Sequence, residues 1–220
     1  MTLPKLALTA TLGIGLAASL ALPASAATTD HSPAQRSSAA AAYTASGEEH
    51  GDTDAFIKAV MKSALAKKAK AHNKSAAVTV TYDASAAPKF KDQIARSAEI
   101  WNSSVSNVQL KEGGNADLSY REGNDPQGSY ADTDGHGKGY IFLDYAQNEE
   151  YDSTRVTAHE TGHALGLPDH YEGPCSELMS GGGPGPSCTN SQPDQNETAK
   201  VNELWANGLA SLEKKLAGTR

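Results

Sequence analysis

The chain opens on an apolar run, residues 6–22, and beyond it the hydrophobic pattern changes period several times. Over residues 54–74, Phe56, Ile57, Val60, Met61, Ala64 and Leu65 recur near the 3.6-residue repeat, with Lys58, Lys62, Lys67, Lys68 and Lys70 around them. That spacing predicts a basic amphipathic helix. Val78-Thr79-Val80-Thr81-Tyr82 is β-branched and aromatic, and predicts a strand. Pro88 opens a helix predicted to run to about Val105, with Phe90, Ile94, Ala98 and Trp101 on one face. Short strands are predicted at residues 108–111, 116–121 and 129–131, separated by Gly, Asn and Asp-Pro turn signals, and again at 139–145. A helix over residues 154–165 follows, then a Gly/Pro-rich loop at 181–186. The last helix, residues 194–216, carries Val201, Leu204, Trp205, Leu209 and Leu212. Strand, helix, strands, helix, loop, helix is the order of an α+β domain, here beginning near Ala77. No internal repeat is visible.

Composition divides what precedes that domain. Residues 1–26 have the three parts of a secretory signal: Lys5 as the lone charge, the apolar run, and Ala24-Ser25-Ala26 as a small-x-small cleavage site after Pro23. The run is about as long as the shortest membrane spans, roughly 17 residues, but it is rich in Ala, Gly and Thr and ends in the cleavage site. Export with removal of 1–26 is therefore expected. Up to Gly51 the chain is Ala, Ser and Thr with scattered charge, too poor in apolar surface to fold alone. The basic helix after it can be a propeptide, a membrane-surface helix or an ordinary helix of the domain. Its place between an export signal and a compact domain favours a propeptide over residues 27–76, with the mature chain starting between about Lys74 and Val78. The segment has no cysteine, so inhibition by a thiol on a metal is excluded.

Export also sets the redox state. Cys175 and Cys188 are the two cysteines of the chain. In an oxidising compartment they are expected to form a disulfide, worth roughly 3 kcal/mol on the chain-entropy model. The formal charge of −7 and the absence of a basic stripe in the C-terminal two-thirds argue against nucleic acid. After signal removal no membrane-length apolar stretch remains, and a soluble monomer is expected.

The chemistry concentrates in Ala158-His159-Glu160-Thr161-Gly162-His163-Ala164-Leu165-Gly166-Leu167-Pro168-Asp169. Histidines at i and i+4 lie on one helix face, so both imidazoles can reach one ion. Glu160, beside the first of them, is placed to take a proton from a water on the metal. Gly166 can end the helix in a left-handed conformation, and Pro168 forbids its resumption. The turn can bring the side chain at 169 back towards the metal as a third ligand, with its neighbour His170 as the competing donor. Three protein ligands and one open position define a catalytic zinc. No G-x-S-x-G motif is present. Asp132-Thr133-Asp134-Gly135-His136-Gly137 starts like a calcium loop, but Leu143 stands where that loop needs Glu, so a glycine-rich turn between strands is the better reading.

His159-Glu160-x-x-His163-x-x-Gly166-x-x-Asp169 resembles the zinc signature of the metzincin peptidases with aspartate in place of the third histidine, and in that respect resembles the snapalysin family. The resemblance covers about Ala77 to the C-terminus. It implies a metzincin-like zincin fold, a mixed twisted sheet with an active-site helix and a C-terminal helix. It implies Asp169 as third zinc ligand, Met179 in a methionine turn beneath the metal, and Tyr171 near the metal with its hydroxyl on the oxyanion. It also implies a calcium site at Asp152 and Thr154, although such residues at a helix start can equally be caps. The expected activity is endoproteolysis of proteins and peptides, bound as an extra strand on an exposed sheet edge near residues 128–132, with an aromatic residue after the cleaved bond. The competing class is a non-catalytic secreted zinc module that binds proteins, which would have no use for Glu160.

Overall fold

The computed structural model describes residues 53–71 and 77–217, with side chains at 55–71 and 77–208. The expected signal and the segment up to Asp52 lie outside the described residues. In chain order the elements are α1 (Thr53–Lys70), β1 (Val78–Ala86), a 3-10 turn (Pro88–Phe90), α2 (Lys91–Ser104), β2 (Val108–Glu112), β3 (Leu118–Gly123), β4 (Tyr130–Thr133) and β5 (Gly139–Asp144). There follow α3 (Tyr145–Glu150), α4 (Ser153–Ala164), a 3-10 turn (Leu178–Ser180) and α5 (Gln195–Ala217).

The five strands form one mixed sheet in the order β2-β1-β3-β5-β4. All neighbours are parallel except β4, which runs antiparallel to β5 at the edge, with Tyr130 opposite Phe142 and Thr133 opposite Gly139. The fold is therefore α+β with a mixed sheet, as the element order implies. β1 alternates Val78, Val80, Tyr82 and Ala84 inward with Thr79 and Asp83 outward. One face of the sheet is thus apolar and covered, and the other is wet. Helices α2 and α4 lie together on the covered face, with Ile94 and Trp101 of α2 fully buried. The Asp132–Gly137 segment is the end of β4, Asp132 and Thr133, followed by the turn of the β4–β5 hairpin. Asp134 accepts the backbone N–H groups of His136 (2.8 Å) and Lys138 (2.9 Å), and Gly135 and Gly137 take φ of 71° and 87°.

Two elements depart from the sequence pattern. β1 runs four residues past Tyr82, with an irregular register between Asp83 and Ala86 where it pairs with β3. The short helix α3 has no hydrophobic period to announce it, and is started by Asp144 accepting the Gln147 N–H at 2.8 Å.

Helix α1 packs into the same core as the rest of the chain. Phe56, Ile57, Val60, Ala64 and Leu65 are buried against the sheet, α4 and α5. Burying an apolar side chain of this size is worth about 1.5–3 kcal/mol. Four of them are comparable with the whole net stability of an ordinary domain, about 5–15 kcal/mol. The apolar face the sequence offers to a membrane is, in this state, spent on the protein's own core.

Candidate active site

The site is built on α4, which is buried along its whole length from Arg155 onwards. Asp152 starts the helix by accepting the Arg155 N–H at 2.8 Å. Its end is a Schellman turn: Gly166 N–H donates to His163 O (3.0 Å) and Leu167 N–H to Gly162 O (3.1 Å), with Gly166 at φ 102°. Only glycine takes that conformation readily, which is the role the sequence assigns it. Buried side chains hold the helix in place. Trp101 Nε1 donates to Ala158 O (2.9 Å) and Trp205 Nε1 to Leu165 O (3.0 Å). Thr161 Oγ1 donates to Thr157 O, accepts from Ser97 Oγ, and lies 2.9 Å from the Tyr120 hydroxyl. Burial pushes the Tyr120 phenol far above its usual range, so it stays protonated and donates.

His159, His163 and Asp169 converge, their ligand atoms all within 4.8 Å of one another, and they are the one group of three such side chains among the described residues. Asp169 Oδ1 lies 3.1 Å from His159 Nε2 and 3.3 Å from His163 Nε2. Each imidazole is anchored through its other nitrogen: His159 Nδ1 on Leu178 O at 3.1 Å, His163 Nδ1 on Leu167 O at 2.8 Å. A carbonyl only accepts, so both rings carry the proton on Nδ1 and turn the Nε2 lone pair to the common point. Two imidazole nitrogens and one carboxylate oxygen are a zinc donor set, and these residues fit the ion. Burial alone would lower the His163 pKa, but the Asp169 carboxylate beside it pushes it up to about 9. Burial alone would raise that of Asp169, but the two imidazoles hold its carboxyl well below the usual range. A cation entering here therefore takes the place of the proton that Asp169 draws onto His163. Glu160, only 3 % exposed, follows His159 on the helix, and its charge also acts on His163.

Beneath the helix lies the 3-10 turn of Leu178–Ser180. Met179 packs so tightly under α4 that a Cβ at Gly162 would stand 2.6 Å from its Sδ and 3.2 Å from the Trp101 ring. Two buried ionic groups grip the turn from opposite sides. Glu197 accepts the N–H groups of Leu178 (3.1 Å) and Met179 (2.7 Å), while also forming a reciprocal cap with Asp194. Arg155 donates to the carbonyls of Glu177 and Gly181 and to Ser180 Oγ. The carbonyl that orients His159 is therefore itself held in place. Sequence reasoning missed Gly162, Arg155 and Glu197. The Asp194-x-x-Glu197 capping box was the one readable signal among them, and it names the helix start rather than the grip on the turn.

Gly162→Ala should consequently lower both melting temperature and kcat/KM. Overpacking costs about 1–3 kcal/mol, against roughly 1 kcal/mol gained by alanine in a helix, and Met179 must swing away from the turn that orients His159. Gly114→Ala, with nothing within 4 Å of its added carbon, is the control. Equal melting curves and kinetics for the two variants would remove Met179 from this account.

The other expected positions fall as follows. His170 is 62 % exposed and its Nδ1 pairs with Glu177 instead of facing the two histidines. Its N–H donates to Met179 O at 2.8 Å, which ties the turn after α4 to the turn beneath it. The backbone carbonyl of Tyr171 lies against Gly183, where any Cβ would be 1.8 Å from its oxygen. Cys175 and Cys188 form a disulfide with S–S 2.04 Å and Cα–Cα 5.7 Å. Asp152 acts as the helix cap, and no second cluster of acids surrounds it or Thr154 among the described residues. Strand β4, Tyr130–Thr133, is one of the two edge strands of the sheet, where residues 128–132 were expected.

A five-stranded mixed sheet backed by a buried His-Glu-x-x-His helix is the architecture of a small zincin-like peptidase domain. The chain belongs to the Streptomyces extracellular neutral proteinase (M7) family, a zinc metalloendopeptidase family, whose model matches residues 77–208. It is similar to the extracellular small neutral protease of Streptomyces lividans, 57 % identical over 219 residues that cover 98 % of this chain and 96 % of that protein. The Streptomyces coelicolor protein of the same name is 69 % identical over 163 residues, 74 % of this chain and 75 % of its own. That of Streptomyces caespitosus is 76 % identical over 131 residues, which are 99 % of its length but 60 % of this chain. No helix among the described residues is long and apolar enough to cross a membrane.

Proposed function

We propose that this metallopeptidase is an exported endopeptidase in which His159, His163 and Asp169 hold one zinc ion and Glu160 moves the proton. The observation that carries the reading is the convergence of three ligand atoms within 4.8 Å beside a buried glutamate on the same helix. When bound, zinc supplies a Lewis acid that polarises the scissile carbonyl and lowers the pKa of a water towards about 7. Glu160 accepts a proton from the attacking water and returns it to the leaving amide nitrogen. The Tyr171 hydroxyl donates to the carbonyl oxygen as negative charge builds there. The substrate backbone lies along β4, an edge strand beside which an extended peptide can lengthen the sheet. An aromatic residue follows the cleaved bond.

Maturation removes residues 1–26 on export and 27–76 afterwards. The Streptomyces caespitosus relative supports this, because a protein aligned over 99 % of its length by 131 residues is about the size of the domain alone. The names of the relatives support an extracellular site of action. The test uses the secreted product and a peptide library varied at the residue after the scissile bond. One zinc per chain is expected, with hydrolysis abolished by a chelator, restored by zinc, and fastest before Phe, Tyr or Trp. Full activity in chelator, or cleavage indifferent to that residue, would overturn the corresponding part.

A further inference from the structure

We propose that the peptidase domain folds on helix α1 and, once the chain is cut between them, keeps a groove that binds this helix in trans. The inference rests on residues 27–76 being a propeptide. Its ground is how completely α1 is fitted to the domain. Three glycines from three different elements make the floor. Phe56 and Val60 occupy the space over Gly139 of β5, where a Cβ would stand 2.2 Å and 2.7 Å from them. At Gly166, the stop of α4, an added Cβ would stand 2.1 Å from Leu204 and 3.3 Å from Ile57. Met61 fills the space over Gly208 of α5, where a Cβ would stand 2.5 Å from its Sδ. The helix thus bridges the sheet, the end of the active-site helix and the last helix.

The far end of the groove is polar and of opposite charge to the helix. Asp117 is fully buried, and it accepts the Thr81 N–H at 2.9 Å from within the domain. From α1 it takes the Ser63 hydroxyl and, at 2.9 Å, the Lys67 ammonium, which also reaches Asn115 O. Lys68 adds a bond to Ala77 O at 3.3 Å. Phe56, Val60, Ser63 and Lys67 form one helical stripe that passes from the apolar floor to the acid. The groove therefore specifies a partner: an amphipathic helix, apolar at one end and hydroxyl-plus-cation at the other. Five lysines against one aspartate in Thr53–Lys70 complement residues 77–220, where 11 basic and 21 acidic side chains give a formal net charge of −10. Cutting after Lys70 breaks none of these contacts. What the cut changes is that their formation becomes bimolecular, so the domain can lose the helix but cannot as readily refold without it.

The experiment uses the full chain with a foreign protease site replacing residues 72–76 and Glu160→Gln to prevent self-digestion. After folding with zinc and cutting, native mass spectrometry and gel filtration should find the helix fragment retained at micromolar concentration. Refolding of the cut chain should accelerate, and its yield rise severalfold, on adding synthetic peptide 53–71. Val60→Asp in that peptide should weaken both effects roughly tenfold or more, because it buries an unpaired charge. Ala66→Asp, which places the same carboxylate at an exposed position, should not. The proposal is overturned if the fragment separates on cutting and the peptide changes neither rate nor yield, or if the two aspartate peptides act alike. N-terminal sequencing of the natural secreted product separates the two ideas. A mature chain that still carries Thr53–Lys70 ends the propeptide reading, while the cut-chain experiment still decides the groove.

Discussion

Glu160→Gln should fold like the parent, keep its zinc, and lose about 10²–10⁴ in kcat/KM, the range over which a positioned general base contributes. The substitution preserves size and shape, and removes only the capacity to take a proton. Its surroundings are rigid: the helix is fixed by Trp101, Trp205 and the Ser97–Thr161–Tyr120 group, none of which touches the 160 side chain through those bonds. Zinc content by atomic emission should stay at one per chain, because the metal is assigned to His159, His163 and Asp169. The loss should fall on kcat with KM little changed, since proton transfer is made only in the transition state. Near-parent turnover in Glu160→Gln would reassign the base to another group.

The convergence of the candidate site was legible because it is local. His159, Glu160, His163 and Gly166 fall within two helical turns, so helical spacing alone brings the two imidazoles together, and glycine followed by proline specifies the turn to Asp169. The strands were legible for the same reason, through β-branched alternation and turn residues. What escaped depends on contacts between distant segments. Arg155 looks like a solvated helix charge until Glu177, Ser180 and Gly181 are placed around it. Gly162 looks like a helix defect until Met179 fills the space below it. Helix α1 was visible as a helix, but a basic amphipathic pattern is the same whether its apolar side meets a membrane or a sheet. It packs over Gly139, Gly166 and Gly208, which lie 83, 109 and 147 residues along the chain from Phe56, Ile57 and Met61 and carry no periodic signal of their own.

Replacing Asp169 by alanine should cost the protein its metal and its activity, while His170→Ala should leave both near the parent level. The two residues are neighbours on the turn after α4, and the turn sends them in different directions. Asp169 Oδ1 faces both imidazoles at 3.1 and 3.3 Å. His170 faces Glu177 and is held by its own N–H on Met179 O. Losing a residue that only supports a ligand typically lowers metal affinity about 10–100-fold; losing a ligand should cost more than that. The His170–Glu177 pair is largely exposed, and such pairs contribute about 0–1 kcal/mol, so His170→Ala should barely move the melting temperature. Its backbone bond to Met179 O survives the substitution, which keeps the turn, and therefore Asp169, in place. Zinc titration against a chromophoric chelator and hydrolysis of one peptide substrate suffice for both variants. If His170→Ala sheds its zinc while Asp169→Ala retains it, the turn leaves α4 differently from the path described, and the third ligand is the histidine.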